Sequence, residues 1–266
     1  MRPKKKILLV GCGNLGTSLL NVWKENNDIT VIEKNKSRTN FLKKNNFCLL
    51  NLEECKIINF DFVILSIKPK DFSVVGKILS EKMGNGIILS FMAGIEVKFI
   101  KKILNTNLPI CRVMPNLFSG LGLGVNGVFL KQKDISKKIN IENLVKPLGE
   151  IVWLPSESDL DFFTAFFGGA PAYFFYYLEI MSKIVSKKKI YTKNSKLYIT
   201  KILEGTINYL KQEDYNFQKH ISLVASKGGT TEEAIKVLKN KNQLFNLLNK
   251  SIGLATKKSM TLRKKK

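Results

Sequence analysis

Gly11-Cys12-Gly13-Asn14-Leu15-Gly16 is the stretch that decides the fold of this chain. It follows at once on the apolar run Lys-Ile-Leu-Leu-Val of residues 6–10, and Leu15, Leu19, Leu20 and Trp23 then recur at helical spacing. Strand, Gly-x-Gly-x-x-Gly turn and helix, in that order, give each glycine a separate task. Gly11 permits the tight turn, Gly13 lets backbone amides approach a pyrophosphate, and Gly16 lets the helix pack against the strand. The helix N-terminus adds partial positive charge where phosphates would sit. Gly11, Cys12, Gly13, Asn14 and Leu15 are therefore the expected cofactor-binding turn.

Outward from this turn, further β-branched runs occur at residues 29–32, 62–67, 86–91 and 110–114, and the last two intervals carry helix-like segments at residues 71–82 and 97–104. Near-continuous apolar strands imply a sheet covered on both faces, and hence parallel. Strand and helix in alternation predict an α/β domain with a Rossmann-type doubly wound sheet. After about residue 155 the β-branched runs stop. Residues 170–189, 194–212 and 231–250 show apolar spacing of three and four, so an all-helical domain is expected to follow. The expected division is 1–155 for the dinucleotide-binding domain and 156–266 for the helical one.

The bulk numbers restrict the rest. The chain of 266 residues has a formal charge of +23, four cysteines and one histidine, His220. Cys12, Cys48, Cys55 and Cys111 have no Cys-x-x-Cys spacing, which suggests neither a disulfide framework nor a zinc knuckle. A lone histidine removes metal sites built on paired histidines. No charged-apolar-small leader precedes the first strand, and scattered thiols suit a reducing cytoplasm. The lysines are spread along the chain with no interleaved aromatics, so the charge reads as composition and not as a nucleic-acid surface. Residues 162–178 are uncharged and rich in phenylalanine, but Gly168-Gly169-Ala170-Pro171 interrupts them. A span needs about 20 apolar residues, so a buried helix with Pro171 in its first turn is expected and no membrane partner.

Several positions are candidates for chemistry. Glu33 closes the second strand about 20 residues after the loop, where an acid accepts from a ribose 2′-hydroxyl and favours NAD. Lys34, Lys36, Ser37 and Arg38 follow at once and would instead hold a 2′-phosphate. The residues leave the choice open between NADPH, with its 2′-phosphate on Lys36 and Ser37, and NADH. Lys68-Pro69, Ala93-Gly94 and Met114-Pro115-Asn116 end three strands on the side where such sheets bind ligands. Ser226-Lys227-Gly228-Gly229-Thr230-Thr231-Glu232-Glu233 reads as a helix start with a hydroxyl cap and an acidic first turn, whose amides would suit a small carboxylate. No histidine precedes His220, which argues against a histidine-based hydroxy-acid dehydrogenase. Tyr215-x-x-x-Lys219 has the spacing of a short-chain dehydrogenase pair but lies in the helical half.

Taken together, these segments resemble the pyrroline-5-carboxylate reductase family. The resemblance is carried by the glycine loop, Ser66-Ile67-Lys68-Pro69, Ser90-Phe91-Met92-Ala93-Gly94-Ile95, Arg112-Val113-Met114-Pro115-Asn116, Gly168–Phe175 and Ser226–Thr231, and it covers nearly the whole chain. It implies hydride transfer from NAD(P)H to the imine carbon of 1-pyrroline-5-carboxylate, giving L-proline, in a cytoplasmic homodimer or higher homo-oligomer, with the all-helical half as the dimerisation domain. It places the substrate carboxylate at Ser226, Gly228, Gly229 and Thr230, Thr231 as the catalytic contact to the ring nitrogen, and Glu157 as an acidic neighbour of the substrate. It adds Asn51, Ile67, Lys68, Pro69, Ala93, Gly94 and Asn116 to the cofactor side. No metal is implied. Phe167-Gly168-Gly169-Ala170-Pro171 departs from the family's Ser-Gly-Ser-Gly-Pro, and Lys227 replaces a proline. The rival readings are another Rossmann imine or β-hydroxyacid reductase, or an inactive basic protein that binds nucleotides or nucleic acid. Against the first, no lysine follows the glycine turn at 168–171 until Lys183.

Overall fold

A computed structural model describes residues 3–53, 59–188 and 192–264, so Cys55 lies outside the described residues. The chain divides into two compact units: Met1–Gly169 with Ala255–Lys266, and Ala170–Leu254. The division falls after the uncharged stretch has begun, later than residue 155, and the end of the last helix belongs with the first unit.

In the first unit the elements run β1 (Lys5–Val10), α1 (Asn14–Trp23), β2 (Asn27–Ile32), α2 (Lys36–Lys44), β3 (Cys48–Leu49), β4 (Phe62–Leu65), α3 (Phe72–Ser80), β5 (Ile87–Ser90), α4 (Val97–Leu104), β6 (Ile110–Met114), β7 (Gly124–Leu130), α5 (Lys138–Val145), β8 (Gly149–Trp153) and α6 (Asp159–Phe163). The sheet order is β3-β2-β1-β4-β5-β6-β7-β8. Chain reversal on either side of β1 produces the doubly wound crevice at the strands' carboxyl ends. Both faces are buried. Ile7, Leu9, Ile64 and Leu89 pack into one cluster, and Leu8, Val10, Val63 and Ile88 into another. That is why the strands read as unbroken apolar runs.

One expectation changes here. The sheet is not wholly parallel, because β7 runs antiparallel to β6. Its sequence, Gly-Val-Asn-Gly-Val-Phe-Leu, looks like a turn. The glycines are there for space: a Cβ on Gly127 would lie 2.6 Å from the Phe163 ring, and one on Gly124 would strike Ser119. Close packing thus disguises a strand as a loop.

The second unit is helical: α7 (Ala170–Ser186), α8 (Ser195–Gln212), α9 (Phe217–Val224), α10 (Thr230–Lys239) and most of α11 (Gln243–Lys264). The single helix expected over residues 231–250 is two, because Lys241 (φ 46°) and Asn242 (φ 53°) take left-handed conformations that end α10. Pro171 sits in the first turn of α7 and is buried. The rest of that helix is not the buried element expected, since Phe174, Phe175, Tyr176 and Tyr177 are all exposed on this chain. Among the described residues no helix is long and apolar enough to cross a membrane.

Candidate dinucleotide and substrate site

The glycine loop behaves as its spacing requires. Gly11 has φ +90°, and its amide donates to the Ile32 carbonyl (2.8 Å). A Cβ on Gly16 would run into the Gly11 carbonyl oxygen, so α1 reaches β1 only because that residue is glycine. The Ser66 hydroxyl donates to the same Gly11 carbonyl and ties the end of β4 to the turn. Gly13 caps α1 without a side-chain hydrogen bond, and the first turn holds no acid. The helix N-terminus therefore presents uncapped amides, and the loop fits a pyrophosphate.

Glu33 is turned toward the glycine loop. Its carboxylate accepts from the Cys12 amide and from the Asn35 amide, both at 2.8 Å. The Cys12 amide is thus already satisfied, and the amides of Gly13, Asn14, Leu15 and Gly16 precede the first intrahelical bond, from Thr17 to Gly13. Burial pushes the Cys12 thiol up, with Thr17 and Arg38 opposing and the Glu33 charge adding to the rise, so it is held protonated. Arg38 bends back over the loop: Nη2 donates to Asn14 Oδ1 at 3.4 Å, and Nη1 lies 3.2 Å from the position a Gly13 Cβ would take. Lys36 and Ser37 open α2, whose Asn35 cap bonds only the Arg38 amide and whose first turn has no acid. Asn51, after β3, accepts from the Glu53 amide (3.1 Å).

Along the carboxyl ends of the strands, Lys68 precedes the short helical turn Pro69–Asp71, and Ala93 is exposed beside Gly94 (φ +67°). Asn116 folds into a capping box with Ser119 and donates Nδ2 to the Phe167 carbonyl at 3.5 Å. That carbonyl lies in the π-helical turn Thr164–Gly168, whose last two residues, Phe167 and Gly168, begin the segment that departs from the family's hydroxyl-rich turn.

Glu157 joins two elements of the first unit. Its Oε1 accepts from the Val97 amide (2.7 Å), the first of α4, and from Arg112 Nη1 (3.1 Å). Arg112 is buried in the middle of β6. The pair is legible in the sequence only as two charged residues 45 apart, and nothing in their spacing joins them.

In the second unit, Gly228 (φ +77°) and Gly229 turn the chain into α10. The expected hydroxyl cap is absent: Gly229 is the cap residue and no side chain bonds the helix start. The Glu232 carboxylate instead accepts from the Gly228 amide (2.8 Å), which together with Lys236 holds its pKa below the usual range. The Gly229 amide donates to the Ser226 carbonyl. Two of the expected anion donors are therefore satisfied internally, and the amides of Thr230 and Thr231 head an uncapped helix with both side chains exposed. His220, the single histidine, rests on Asp214 (2.9 Å), which also pairs with Lys219 (3.0 Å). Lys219 belongs to that carboxylate and not to Tyr215. No group of three or more His, Cys, Asp or Glu among the described residues could hold a metal ion.

A doubly wound sheet with a glycine loop at its switch point, followed by a separate helical unit, defines a Rossmann-class oxidoreductase that uses a nicotinamide cofactor. Residues 6–94 match the family model of NADP oxidoreductases, coenzyme F420-dependent, and residues 157–262 match that of pyrroline-5-carboxylate reductase dimerisation. The pyrroline-5-carboxylate reductase of Aquifex aeolicus is 30% identical over 89% of each chain. That of Staphylococcus epidermidis is 27% identical over 97% of each. A solved pyrroline-5-carboxylate reductase from Coxiella burnetii superposes with a TM-score of 0.84 at 25% identity, covering 97% of this chain and 98% of that one. The chain belongs to the pyrroline-5-carboxylate reductase family.

Proposed function

We propose that the chain reduces 1-pyrroline-5-carboxylate to L-proline with NADPH, as a cytoplasmic homodimer. The observation that carries the reaction is the glycine turn at Gly228–Gly229 opening α10 with uncapped amides and an exposed Thr231. Helix-terminal N–H groups suit a small carboxylate, and those of Thr230 and Thr231 would hold the substrate's. The Thr231 hydroxyl would then orient the ring nitrogen. A protonated imine is already electrophilic, so the protein's task is orientation and exclusion of water, not strong acid catalysis. The bound cofactor supplies the hydride that becomes the new C–H bond.

On the cofactor side, Gly13, Asn14 and Leu15 would donate to the pyrophosphate. Arg38 with Lys36 and Ser37 at the α2 N-terminus supports a 2′-phosphate, because Glu33 is turned toward the loop amides. Ile67, Lys68, Pro69, Ala93, Gly94 and Asn116 complete that side, with Asn51 near the adenosine. Glu157 is read as shaping the site through Arg112 and α4. The homodimer reading rests on the dimerisation model and on the exposed aromatic face of α7.

Steady-state loss of NADPH and NADH absorbance with 1-pyrroline-5-carboxylate, side by side, tests the reading. Turnover with a preference for NADPH is expected, and absence of turnover with either cofactor overturns it. Thr231→Ala should lower kcat about 10- to 100-fold, the scale of one lost transition-state hydrogen bond, while cofactor Kd stays within twofold (about 0.4 kcal/mol).

A further inference from the structure

We infer that Arg263, in the last turn of α11, is a positioning residue for the Ala93–Gly94 turn, so that the nicotinamide end of the cofactor site depends on the docked end of the chain. The inference rests on Ala93 and Gly94 belonging to the cofactor side, and on β5 lying across β1 and its glycine loop from β2, so that a dinucleotide with its adenosine at β2 carries its nicotinamide to β5.

At the turn between β5 and α4, Met92 and Ile95 are anchored in the core, but Ala93 and Gly94 between them bring almost no side chain to pack. Ala93 is exposed, Gly94 is left-handed, and a cavity of about 190 Å³ beside it is lined by residues including Gly94, Ile95, Glu96, Phe99 and Arg263. Where apolar contacts do not fill the space, polar contacts set the backbone's position. They come from far along the chain. Arg263 Nη1 lies 3.5 Å from Glu96 Oε1, and Nη2 lies 3.3 Å from Asp161 Oδ2. Ser259, one turn earlier, donates to Asp161 Oδ1 at 2.8 Å. Asp161 is buried and anchors both Ser259 and Arg263, from the last two turns of α11. The backbone of Leu262 and Arg263 then runs within ordinary van der Waals contact of the position a Gly94 Cβ would take, at 3.4–3.5 Å. On the other side of the turn, Glu157 holds the Val97 amide.

The Glu96–Gly94 segment is thus clasped between a charge-paired guanidinium and a capped helix start. A guanidinium can bridge two carboxylates in a fixed plane, which an ammonium does only as a point charge. Loosening this clasp should move Ala93–Gly94 while leaving the glycine loop at β1 in place.

The test uses the full chain with Arg263→Gln, Arg263→Lys and Glu96→Gln. In Arg263→Gln we expect kcat to fall about tenfold and the NADP⁺ Kd to rise severalfold, the scale of a sub-ångström misplacement. The Kd of 2′-phospho-ADP-ribose, which lacks the nicotinamide, should stay unchanged. Arg263→Lys should recover part of the loss, and Glu96→Gln should give a smaller shift in the same direction at unchanged Tm. If Arg263→Gln fails to fold, the NADP⁺-to-fragment Kd ratio of Glu96→Gln decides. Equal loss of NADP⁺ and fragment binding, or no change in either, overturns the inference. Failure of the functional reading would appear separately, as wild-type chain that does not turn over pyrroline-5-carboxylate, and the binding ratio would still decide the role of Arg263.

Discussion

The two units solve the problem of burial in opposite ways. In the first, both faces of the sheet are covered by its own helices, and Ile7, Leu8, Ile64, Leu65, Ile88 and Leu89 are removed from solvent within one chain. In the second, the helices have apolar spacing of equal clarity but no enclosed core. Apart from Pro171, every buried apolar side chain among the described residues lies between Ile7 and Ala165. On α7, Phe174, Tyr177 and Ile184 recur at helical spacing and are each more than half exposed. Helices that present such faces gain their stability from what covers them. The lesson is that one unit encloses its apolar residues within its own sheet and helices, whereas the other, which matches a dimerisation domain, leaves its apolar faces open.

This contrast can be broken most directly at the α7 face. Each carboxylate buried there without a partner costs several kcal/mol, so Phe174→Asp with Tyr177→Asp should raise the dimer Kd by about a thousandfold or more. Sedimentation velocity would show monomers. A dimer that survives would mean that this face does not lie in the interface.

Next in size is the buried pair of the first unit. Glu157→Ala leaves Arg112 buried and uncompensated and uncaps α4, at a cost of about 3 kcal/mol. Urea unfolding should show it as a lower midpoint, with the dimer intact. Loss of the dimer in this variant would mean the units are not independent in the way their burial suggests.

Arg38→Ala probes the cofactor contact of the same unit. It should weaken NADPH about tenfold, near 1.4 kcal/mol, and leave NADH unaffected, since only a 2′-phosphate uses the guanidinium. Equal effects on both cofactors, read by titration, would place Arg38 at the pyrophosphate instead.

The smallest effect concerns the second unit's charge cluster. The Asn216 amide first, then Lys219 and His220, hold the Asp214 carboxyl down at about 2. A carboxyl depressed on folding contributes stability that is present above its ordinary value. The contribution is lost as acid protonates it, between about pH 4 and about pH 2. Asp214→Ala should therefore flatten the acid limb of the stability curve in that window and leave neutral stability lower by a small amount, because the group is solvated. An unchanged acid limb, followed by circular dichroism, would show that the cluster forms without stabilising the fold.

Much of this was legible in the residues. The glycine loop, five of the strands and the change to helices were written as apolar runs and glycine spacing, which report local geometry directly. β7 and β8 were not, because Gly124, Gly127 and Gly149 answer to close packing against distant backbone and side chains. The break at Lys241–Asn242 was hidden because a continuing apolar period does not reveal two left-handed residues. At the site, Thr230–Thr231 was legible as a helix start, but the missing cap was not: no hydroxyl bonds the helix amides, and the Glu232 carboxylate turns back to the Gly228 amide ahead of the helix. Ser259, Arg263 and Asp161 carried no signal at all, being ordinary polar residues until the chain brings them together.

By itself, then, the sequence determined what depends on neighbours along the chain: the phosphate turn, the strand runs, the helical periods and the family motifs. Tertiary structure decided what depends on charges far apart in sequence. It turned Glu33 onto the Cys12 amide, set Arg38 over Gly13, and joined Glu157 to Arg112 and Arg263 to Glu96 and Asp161. The reason is physical. Backbone geometry is set by local sterics and periodicity, whereas a carboxylate or guanidinium takes whichever partner the finished fold places within about 3 Å.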